Sequence, residues 1–598
     1  MQYLSKSDYK LARTCPTKLY YKKLHYPALT DGSAFMELLE EDGYLFEALA
    51  KLHYPDGVAI DETLSLEESA ATTLVALQAE QVTLFEATFI SAGKLVRVDI
   101  LVKDGNVFDL IEVKSKSYTP GEQFRNKSGT VFSAWLPYLE DVAFQALVLQ
   151  ECFPAAEIRP FLLLPDSSQA ISIEQIRTWF QFDVVGRAGE WARRLVLVTG
   201  DVALLQQEPI VITVAVGAEV AALAADVRQF TARLIDSLNP LRRIPPRLSH
   251  RCASCEYRLE GGAERNGFVE CWRELASAQP HLLDLYYLSE TGGGGTPLAS
   301  ELIAQGTVHL FDVPIERLRK KDGSVGKRNQ RQIVQIEYSR AGREWLGAEL
   351  PDLLAGLAYP LHFLDFETAR YVLPSHASLK PYALEAFQWS CHTLAAPGAA
   401  LQHTEWINRE PTFPNERFAR SLMAHLGTAG TVLAWAAHES MTLRQIAEQL
   451  AERNLGDPAL HEWLATLGAK DRIVDMNALT IGHYFHPLMR GQTSLKVVAD
   501  AIWRTQPELR ARFATLLGVE EAGAASLYKT LPSRLIAGQL CTIQNGTDAL
   551  RAYQSMLFAT SPADRTAWQD LLRQYCRLDT LAMVLVWERW AELSAAGA

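Results

Sequence analysis

The segment from residue 351 to about residue 453 constrains the fold more than any other part of this 598-residue chain. Its apolar runs and amphipathic stretches predict three strands, a helix, a strand and a helix, at 361–366, 384–394, 401–407, 415–426, 431–436 and 439–453. This order of elements is that of an α/β domain. We therefore expect such a domain over residues 351–598.

The remaining length is too great for the same hydrophobic core, so further domains are expected. Hydrophobic residues make up 48% of the chain and charged residues 21%, as in soluble globular proteins. The N-terminus lacks the pattern of a secretory signal, and the most apolar stretch, residues 209–225, is interrupted by Gly217 and Glu219. We expect a cytoplasmic protein without a membrane span.

Residues 1–275 mix helices with an antiparallel meander. Its three predicted strands run over Thr83–Ile90, Lys94–Val102 and Val107–Val113, and the turns between them contain Ser91-Ala92-Gly93 and Asp104-Gly105. If Asp104-Gly105 is a two-residue turn, Asp99 lies opposite Leu110. The alternation of side chains then places Asp99, Glu112 and Lys114 on one face of the sheet.

Carboxylates also recur in the C-terminal part of the chain. Asp365 and Glu367 lie two residues apart at the end of a predicted strand, so both point to one face. Glu439 follows the fourth strand, and Asp579 comes one helical turn after Tyr575. Converging carboxylates are what two-metal hydrolysis of a phosphodiester requires, with Mg²⁺ or Mn²⁺ as the ions. Asp475 is either a further acid or, more simply, a cap.

This set resembles the DEDD family of 3′→5′ exonucleases, in the variant that keeps a tyrosine beside the last aspartate. The resemblance implies an RNase H-like fold, metal ligation by Asp365, Glu367, Glu439 and Asp579, and a Tyr575 that positions the attacking water. Three segments are similar to the bacterial domain-of-unknown-function family 2779, over about residues 350–590: the segment from Lys380-Pro381-Tyr382 to Phe387-Gln388-Trp389-Ser390, residues 486–496 and residues 575–580. That family is regarded as DEDD-like and is often fused behind a RecB-like nuclease domain.

The N-terminal pattern resembles the PD-(D/E)xK nucleases of the RecB-like type, which implies a restriction-endonuclease-like fold. By this resemblance Asp99 and Glu112 hold a divalent ion and Lys114 orients water. Gln145, in the helical stretch predicted over Leu139–Glu151, stands where RecB-like nucleases place a glutamine. Two departures weaken the likeness: Leu149 replaces the usual tyrosine, and Glu47 replaces an upstream metal-binding histidine.

The cysteines are unevenly spaced, in a chain without signs of export, which favours metal ligation over disulfides. Three of them, Cys252, Cys255 and Cys271, follow the predicted nuclease core, and Cys15 precedes it. One early and three late cysteines resemble the iron–sulfur RecB-like nucleases, including the CRISPR-associated exonuclease family. The resemblance implies a [4Fe–4S] cluster; four thiolates also suit structural Zn²⁺. The other four cysteines (Cys152, Cys391, Cys541 and Cys576) are expected in the core.

Residues 276–350 are expected to form a basic linker region, with a flexible break at Gly292–Gly295. Its basic residues flank a predicted turn at Asp322-Gly323 and are Arg317, Arg319, Lys320, Lys321, Lys327, Arg328 and Arg331. Such a loop either follows a phosphate backbone or is simply a solvated surface.

Together these patterns predict a two-domain nuclease acting on DNA rather than RNA, in repair or in defence against mobile elements, with protein partners there. The net charge of −12 does not oppose this, because nuclease metal sites need carboxylates and basic contacts can be local. Two alternatives stay open. Either only the C-terminal domain is catalytic and the N-terminal domain is a DNA-binding platform, or the whole chain is a non-catalytic adaptor in a defence complex.

Overall fold

The computed structural model describes residues 2–30, 33–61, 63–185, 193–261, 264–290, 298–467, 472–519 and 525–597. The predicted break at Gly292–Gly295 lies outside these residues. The chain divides into two compact units. The first unit comprises residues 1–247, 259–267 and 370–383, and the second comprises residues 248–258, 268–369 and 384–598.

The first unit is built on a seven-stranded sheet. Its strands are β1 (Leu4–Ser5), β2 (Val58–Ala59), β3 (Gln81–Ser91), β4 (Lys94–Asp104), β5 (Val107–Val113), β6 (Glu157–Pro165) and β9 (Val211–Ala215), while β7 (Phe180–Val185) and β8 (Arg193–Val198) form a separate pair. The sheet order is β2-β3-β4-β5-β6-β9, with β1 paired to β4. The helices are α1 (Lys6–Thr14), α2 (Thr17–Lys23), α3 (Ala34–Leu52), α4 (Leu66–Ala76), α5 (Leu136–Cys152), α6 (Val202–Leu205) and α7 (Gly217–Asp236).

Two hydrophobic clusters lie against this sheet. One joins α5 and α7 to the strands through residues such as Leu139, Val227 and Leu101. The other joins α3 to Ile100 and Ile111. Helices therefore shield the strands that carry the predicted acidic residues.

The three predicted meander strands are confirmed as β3, β4 and β5, but the expected register at the second turn is wrong. The structure pairs Asp104 with Val107 and Leu101 with Leu110, so the turn residues are Gly105 and Asn106. Gly105 has φ +56°, which suits the first central position of a type II′ turn. Asp99 consequently lies towards Glu112 rather than opposite Leu110.

The second unit contains a five-stranded mixed sheet in the order β13-β12-β11-β14-β15. These strands are β11 (Leu361–Ala369), β12 (Glu385–Leu394), β13 (Gln402–Ile407), β14 (Thr431–Ala434) and β15 (Ile473–Asp475). The first three are antiparallel neighbours, whereas β14 pairs in parallel with both β11 and β15. The predicted sequence of three strands, helix, strand and helix is confirmed.

Helices cover both faces of this sheet. Helices α12 (Asn415–Leu426), α13 (His438–Glu452) and α14 (Pro458–Leu467) pack through a core that includes Leu364, Phe418 and Leu443. The 36-residue helix α19 (Pro562–Gly597) contacts the strands from the side opposite this core. The other helices are α8 (Gly267–Trp272), α9 (Leu298–Ala304), α10 (Lys327–Ala341), α11 (Leu350–Ala355), α15 (Met476–His483), α16 (Leu495–Thr505), α17 (Pro507–Leu517) and α18 (Gly546–Phe558). Two two-stranded antiparallel sheets complete the unit: β10 (Trp345–Leu346) pairs with the distant β16 (Tyr484–Phe485), and β17 (Arg534–Ile536) forms a hairpin with β18 (Gln539–Cys541).

The region expected to be a basic linker lies in the second unit, where short helices pack around Trp272, Leu302 and Ile336. Its predicted turn is present: the Ser324 carbonyl accepts a hydrogen bond from the Lys320 N–H at 2.8 Å. Among the residues described, no helix combines the length and apolar character needed to cross a bilayer.

Candidate metal centres

Strand β11 presents two acidic side chains to the face that α19 covers. Asp365 and Glu367 alternate with Phe366, whose ring points into the core on the opposite face. The register between β11 and β12 shifts directly after Glu367. Such a bulge changes the local direction of the strand, and it interrupts the regular pairing of β11 with β12 directly after Glu367.

Helix α19 supplies three further groups to this face. Its position is fixed by polar contacts to β12, because Thr580 Oγ1 lies 2.8 Å from His392 Nδ1 and 3.1 Å from Ser390 Oγ. Cys576 Sγ lies 3.6 Å from Asp365 Oδ2, and the ligand atoms of Asp365, Glu367 and Cys576 all lie within 4.8 Å of one another. Tyr575 and Asp579 flank Cys576 on the same helix and are both buried.

Glu439 enters from the first turn of α13, which begins shortly after β14. It is 2% exposed, and its Oε2 has no hydrogen-bonding partner among the described residues. The neighbouring Asp475 is the N-cap of α15: its Oδ1 accepts hydrogen bonds from the N–H groups of Ala478 and Ala436, each at 3.0 Å. The interpretation of Asp475 as a cap is confirmed.

The carboxyl groups perturb one another. Burial raises the pKa of Asp365, Glu367 and Glu439 well above the usual range. Repulsion adds to it: Asp579 repels Asp365, and Asp365 repels both glutamates. Burial also raises the pKa of Asp579 to about 6, although hydrogen bonds from tyrosines and the charge of Lys496 oppose the rise. We call Asp365, Glu367, Glu439 and Asp579 the acid cluster. Carboxylates this close repel one another when ionised, and a bound cation would reduce that repulsion.

Two residues that the sequence did not single out complete the acid cluster's surroundings. Lys496 Nζ lies 3.4 Å from the Tyr575 hydroxyl and lowers the pKa of Glu367 and Asp579. The Tyr528 hydroxyl donates a hydrogen bond to Asp579 Oδ1. Lys496 belongs to the segment 486–496, whose family resemblance could have marked it as a site residue. No sequence pattern marks Tyr528.

The first unit brings together the residues predicted for its own site. Glu112 is fully buried and accepts hydrogen bonds from Gln145 Nε2 at 2.6 Å and from Lys114. Asp99 Oδ2 accepts a hydrogen bond from the Val113 N–H at 2.8 Å. Asp99, Glu112, Lys114 and Gln145 therefore meet on β4, β5 and α5 as expected.

Two further residues join this group without having been predicted. Lys6 Nζ, at the start of α1, lies 2.7 Å from Glu112 Oε1 and 3.6 Å from Asp99 Oδ1. Asp141 lies one helical turn before Gln145 and 3.2 Å from Lys114 Nζ. Three carboxylates thus face two ammonium groups. Lys6 stands between Asp99 and Glu112, where the resemblance places a metal ion.

These charges shift the pKa values of the two predicted metal ligands of the first unit, Asp99 and Glu112, in opposite directions. Burial and the charge of Glu112 raise the pKa of Asp99 to about 7. Burial also acts to raise the pKa of Glu112, but Lys114 and Lys6 outweigh it and lower that pKa below its usual range.

Glu47 lies on α3, close enough to contribute to the raised pKa of Asp99. Its own carboxylate is bound by Lys51 at 2.6 Å, and Lys51 also binds Glu86 at 2.8 Å. Burial raises the pKa of Glu47. Glu47, which stands where the RecB-like nucleases have a metal-binding histidine, is therefore already engaged in an ion pair with Lys51.

The predicted cluster cysteines belong to different units, since Cys15 lies in the first and the other three in the second. Cys252 and Cys255 occupy a 3₁₀ turn in which the Cys255 N–H donates to the Cys252 carbonyl at 3.3 Å. Cys271 lies on α8, and it packs against the same hydrophobic cluster as Cys252. Their ligation of a cluster or of zinc stays a prediction.

Most of the predicted basic residues are exposed. Arg317 pairs with Glu301 at 2.7 Å, while Arg319, Lys320, Lys321, Lys327 and Arg328 lie on the surface of the second unit. Arg331 contradicts the prediction: it is 2% exposed, and its guanidinium donates to the carbonyls of Thr480 (3.1 Å) and Tyr484. It faces inward because α10 buries that side, so it serves packing and not nucleic-acid contact.

Residues 362–494 match a family model described as "Domain of unknown function (DUF2779)". The match confirms the family predicted for this segment, which holds Asp365, Glu367 and Glu439. No curated protein and no solved structure matches the chain.

Proposed function

We propose that the acid cluster of the second unit is a two-metal centre that hydrolyses phosphodiester bonds. The observation that carries the proposal is the convergence of four buried carboxyl groups with raised pKa values. Among the described residues, Lys496 supplies the one ammonium group whose charge acts on them. Burying several acids without compensating charge is costly unless a cation binds them.

The donors fit a hard divalent cation. All four side chains offer oxygen, the preferred ligand of Mg²⁺ and Mn²⁺, and Glu439 Oε2 has no partner among the described residues. Asp365, Glu367, Glu439 and Asp579 would hold the ions. When bound, such ions activate water and stabilise the charge on the leaving oxygen.

The neighbouring residues take complementary roles. Burial raises the pKa of Tyr575, so its hydroxyl stays protonated and can orient a water molecule by hydrogen bonding. Lys496, next to that hydroxyl, can stabilise negative charge on a phosphate oxygen. Tyr528 holds the Asp579 carboxylate in one orientation.

The finer assignment rests on resemblance. A sheet in the order β13-β12-β11-β14-β15, with acids on its central strand and on a C-terminal helix, is similar to an RNase H-like DEDDy domain. From that likeness we propose a 3′→5′ exonuclease acting on DNA, in repair or in defence against mobile elements.

The test uses the full chain and labelled DNA with Mg²⁺ or Mn²⁺. Asp579→Asn should abolish cleavage, while Asp570→Asn, on the same helix but outside the acid cluster, should retain wild-type activity. Equal activity of the two variants would show that the acid cluster is not the catalytic centre.

A second candidate function concerns the first unit, where Asp99, Glu112, Lys114 and Gln145 meet as in PD-(D/E)xK nucleases. Lys6 already places an ammonium group between the two predicted metal ligands, which favours a DNA-binding platform over a second nuclease. The two are distinguished in a chain that carries Asp365→Asn. Residual cleavage that disappears on adding Lys114→Ala would establish a second nuclease site, and complete loss of cleavage from Asp365→Asn alone would favour the platform.

A further inference from the structure

A second group of metal-ligating side chains lies on the other face of the β11–β12 sheet. It consists of His362 on β11, Cys391 on β12 and His425 in the last turn of α12. Each offers one ligand atom, and these three atoms all lie within 4.8 Å of one another. We call this group the His–Cys–His cluster.

The sheet register explains why these side chains meet. His362 pairs with Thr393, and Leu364 pairs with Cys391, so Thr393 and Cys391 are two residues apart and share a face with His362. Helix α12 packs over this face. Because Asp365 and Glu367 have the opposite parity on β11, the His–Cys–His cluster and the acid cluster lie on opposite sides of the sheet.

The distances suit tetrahedral coordination after a small adjustment. His362 Nδ1 lies 4.0 Å from Cys391 Sγ. Nitrogen and sulfur ligands of tetrahedral zinc, about 2.1 and 2.3 Å from the ion, lie roughly 3.6 Å apart. His425 Nε2 lies 3.5 Å from Thr393 Oγ1, which is itself 3.6 Å from Cys391 Sγ. Since His425 lies in the last turn of its helix and is only partly buried, it has the most room to move inward.

Hydrogen bonds within the protein do not fully satisfy these groups. His362 is 4% exposed, and its Nε2 has no partner among the described residues although the atom is shielded from water. Its Nδ1 faces Thr393 Oγ1 at 3.1 Å. Nδ1, the nitrogen 4.0 Å from the fully buried Cys391 thiol, is therefore the atom of this ring that is placed to bind a cation, and Nε2 keeps its proton.

We propose that His362, Cys391 and His425 bind one Zn²⁺ ion, with water or the Thr393 hydroxyl in the fourth position. Two imidazole nitrogens and a thiolate form a borderline-soft donor set that selects Zn²⁺ over Mg²⁺ and Mn²⁺, the ions proposed for the acid cluster. Cys391 loses its proton to solvent as the Zn–S bond forms. The ion ties β11, β12 and α12 together, and its role is structural because it lies across the sheet from the acid cluster.

The experiment measures zinc per chain in the full-length protein after removal of metals with a chelator and reloading with Zn²⁺. Cys391→Ser and His425→Gln should each bind one equivalent less than the wild type. The matched control is His403→Gln, which changes a histidine of the same sheet that contacts Ser390 on the face of the acid cluster; it should bind as much zinc as the wild type. Differences between variants isolate this site from any zinc held by Cys252, Cys255 and Cys271.

Equal zinc content in the wild type, Cys391→Ser and His425→Gln would overturn the proposal. If these two variants fail to fold, crystals of the zinc-loaded wild type give the answer through anomalous scattering at the zinc edge. A peak between His362 and Cys391 would support the site, and its absence there would refute it. Neither readout depends on nuclease activity, so this proposal and the proposed function can fail separately.

Discussion

Replacing Asp99 by asparagine should stabilise the first unit at pH 8 but not near pH 4. Asparagine keeps the oxygen that accepts the 2.8 Å hydrogen bond from Val113, and it removes the negative charge. In the wild type, burial and Glu112 raise the pKa of Asp99 from 3.8 to about 7. Between these two values the folded state therefore binds more protons than the unfolded state, and wild-type stability falls as the pH rises through this window.

The size of the effect follows from the same two pKa values. Each pH unit across the window corresponds to about 1.4 kcal/mol, so an ionised Asp99 costs the fold at most about 4 kcal/mol above pH 7. For a unit of this size, each kcal/mol shifts the unfolding midpoint by roughly 2–4 °C. The expected gain for Asp99→Asn at pH 8 is therefore several degrees.

Differential scanning calorimetry of the full chain in chelator, at pH 4.5 and pH 8, measures this gain. Asp104→Asn, at the exposed end of the same strand, is the control and should behave as the wild type at both pH values. An unchanged midpoint difference between Asp99→Asn and the wild type at the two pH values would refute the charge balance described for this site.

Further predictions concern the acid cluster and the cysteines. Tyr575→Phe should reduce the cleavage rate at least tenfold but leave Mn²⁺ affinity nearly intact; a loss of affinity as large as in Asp579→Asn, measured by calorimetric titration, would mean that the tyrosine's role is misread. Tyr528→Phe removes a hydrogen bond that lowers the pKa of Asp579, so the pKa of that carboxyl should rise. As the pH is lowered, Mn²⁺ binding should therefore be lost at a higher pH than in the wild type. An identical pH profile of binding would contradict this contact. Anaerobically purified protein should be brown if the predicted cluster cysteines hold [4Fe–4S], whereas colourless protein whose zinc content falls in Cys252→Ser would support structural zinc.

Much of the second unit was predictable because its elements have strong local signals. The apolar run before Asp365 and the periodic stretch that became α12 gave strand and helix to within a few residues. Asp365, Glu367 and Tyr575 follow from spacing, since two residues on a strand and four on a helix share a face. Convergence of these acids with Glu439 required the sheet order, which local patterns do not fix.

The first unit shows what local patterns miss. Asp104-Gly105 is a strong hairpin signal, yet glycine suits either central position of a two-residue turn, and a one-residue change moved Asp99 from Leu110 towards Glu112. Asp141 was within reach of sequence reasoning, because it precedes Gln145 by one helical turn on a predicted helix. Lys6 was not, because its approach to Glu112 joins residues more than a hundred positions apart.

Arg331 and Cys576 show the same limit for single side chains. The sequence predicted Arg331 to be one of several exposed basic residues, but it lies on the buried face of α10. Cys576 was predicted to be a core residue. It is buried, and its thiol also contacts the Asp365 carboxylate. Burial and neighbours of one side chain depend on packing between elements, which composition and periodicity do not specify.

The central claim, that the acid cluster hydrolyses phosphodiester bonds, is tested most directly with 5′-labelled single-stranded DNA and Mn²⁺. The wild type should produce a ladder of products shortened stepwise from the 3′ end. The Asp365→Asn, Glu367→Gln double variant should fold normally and leave the substrate at full length. An undiminished ladder from that double variant would contradict the account.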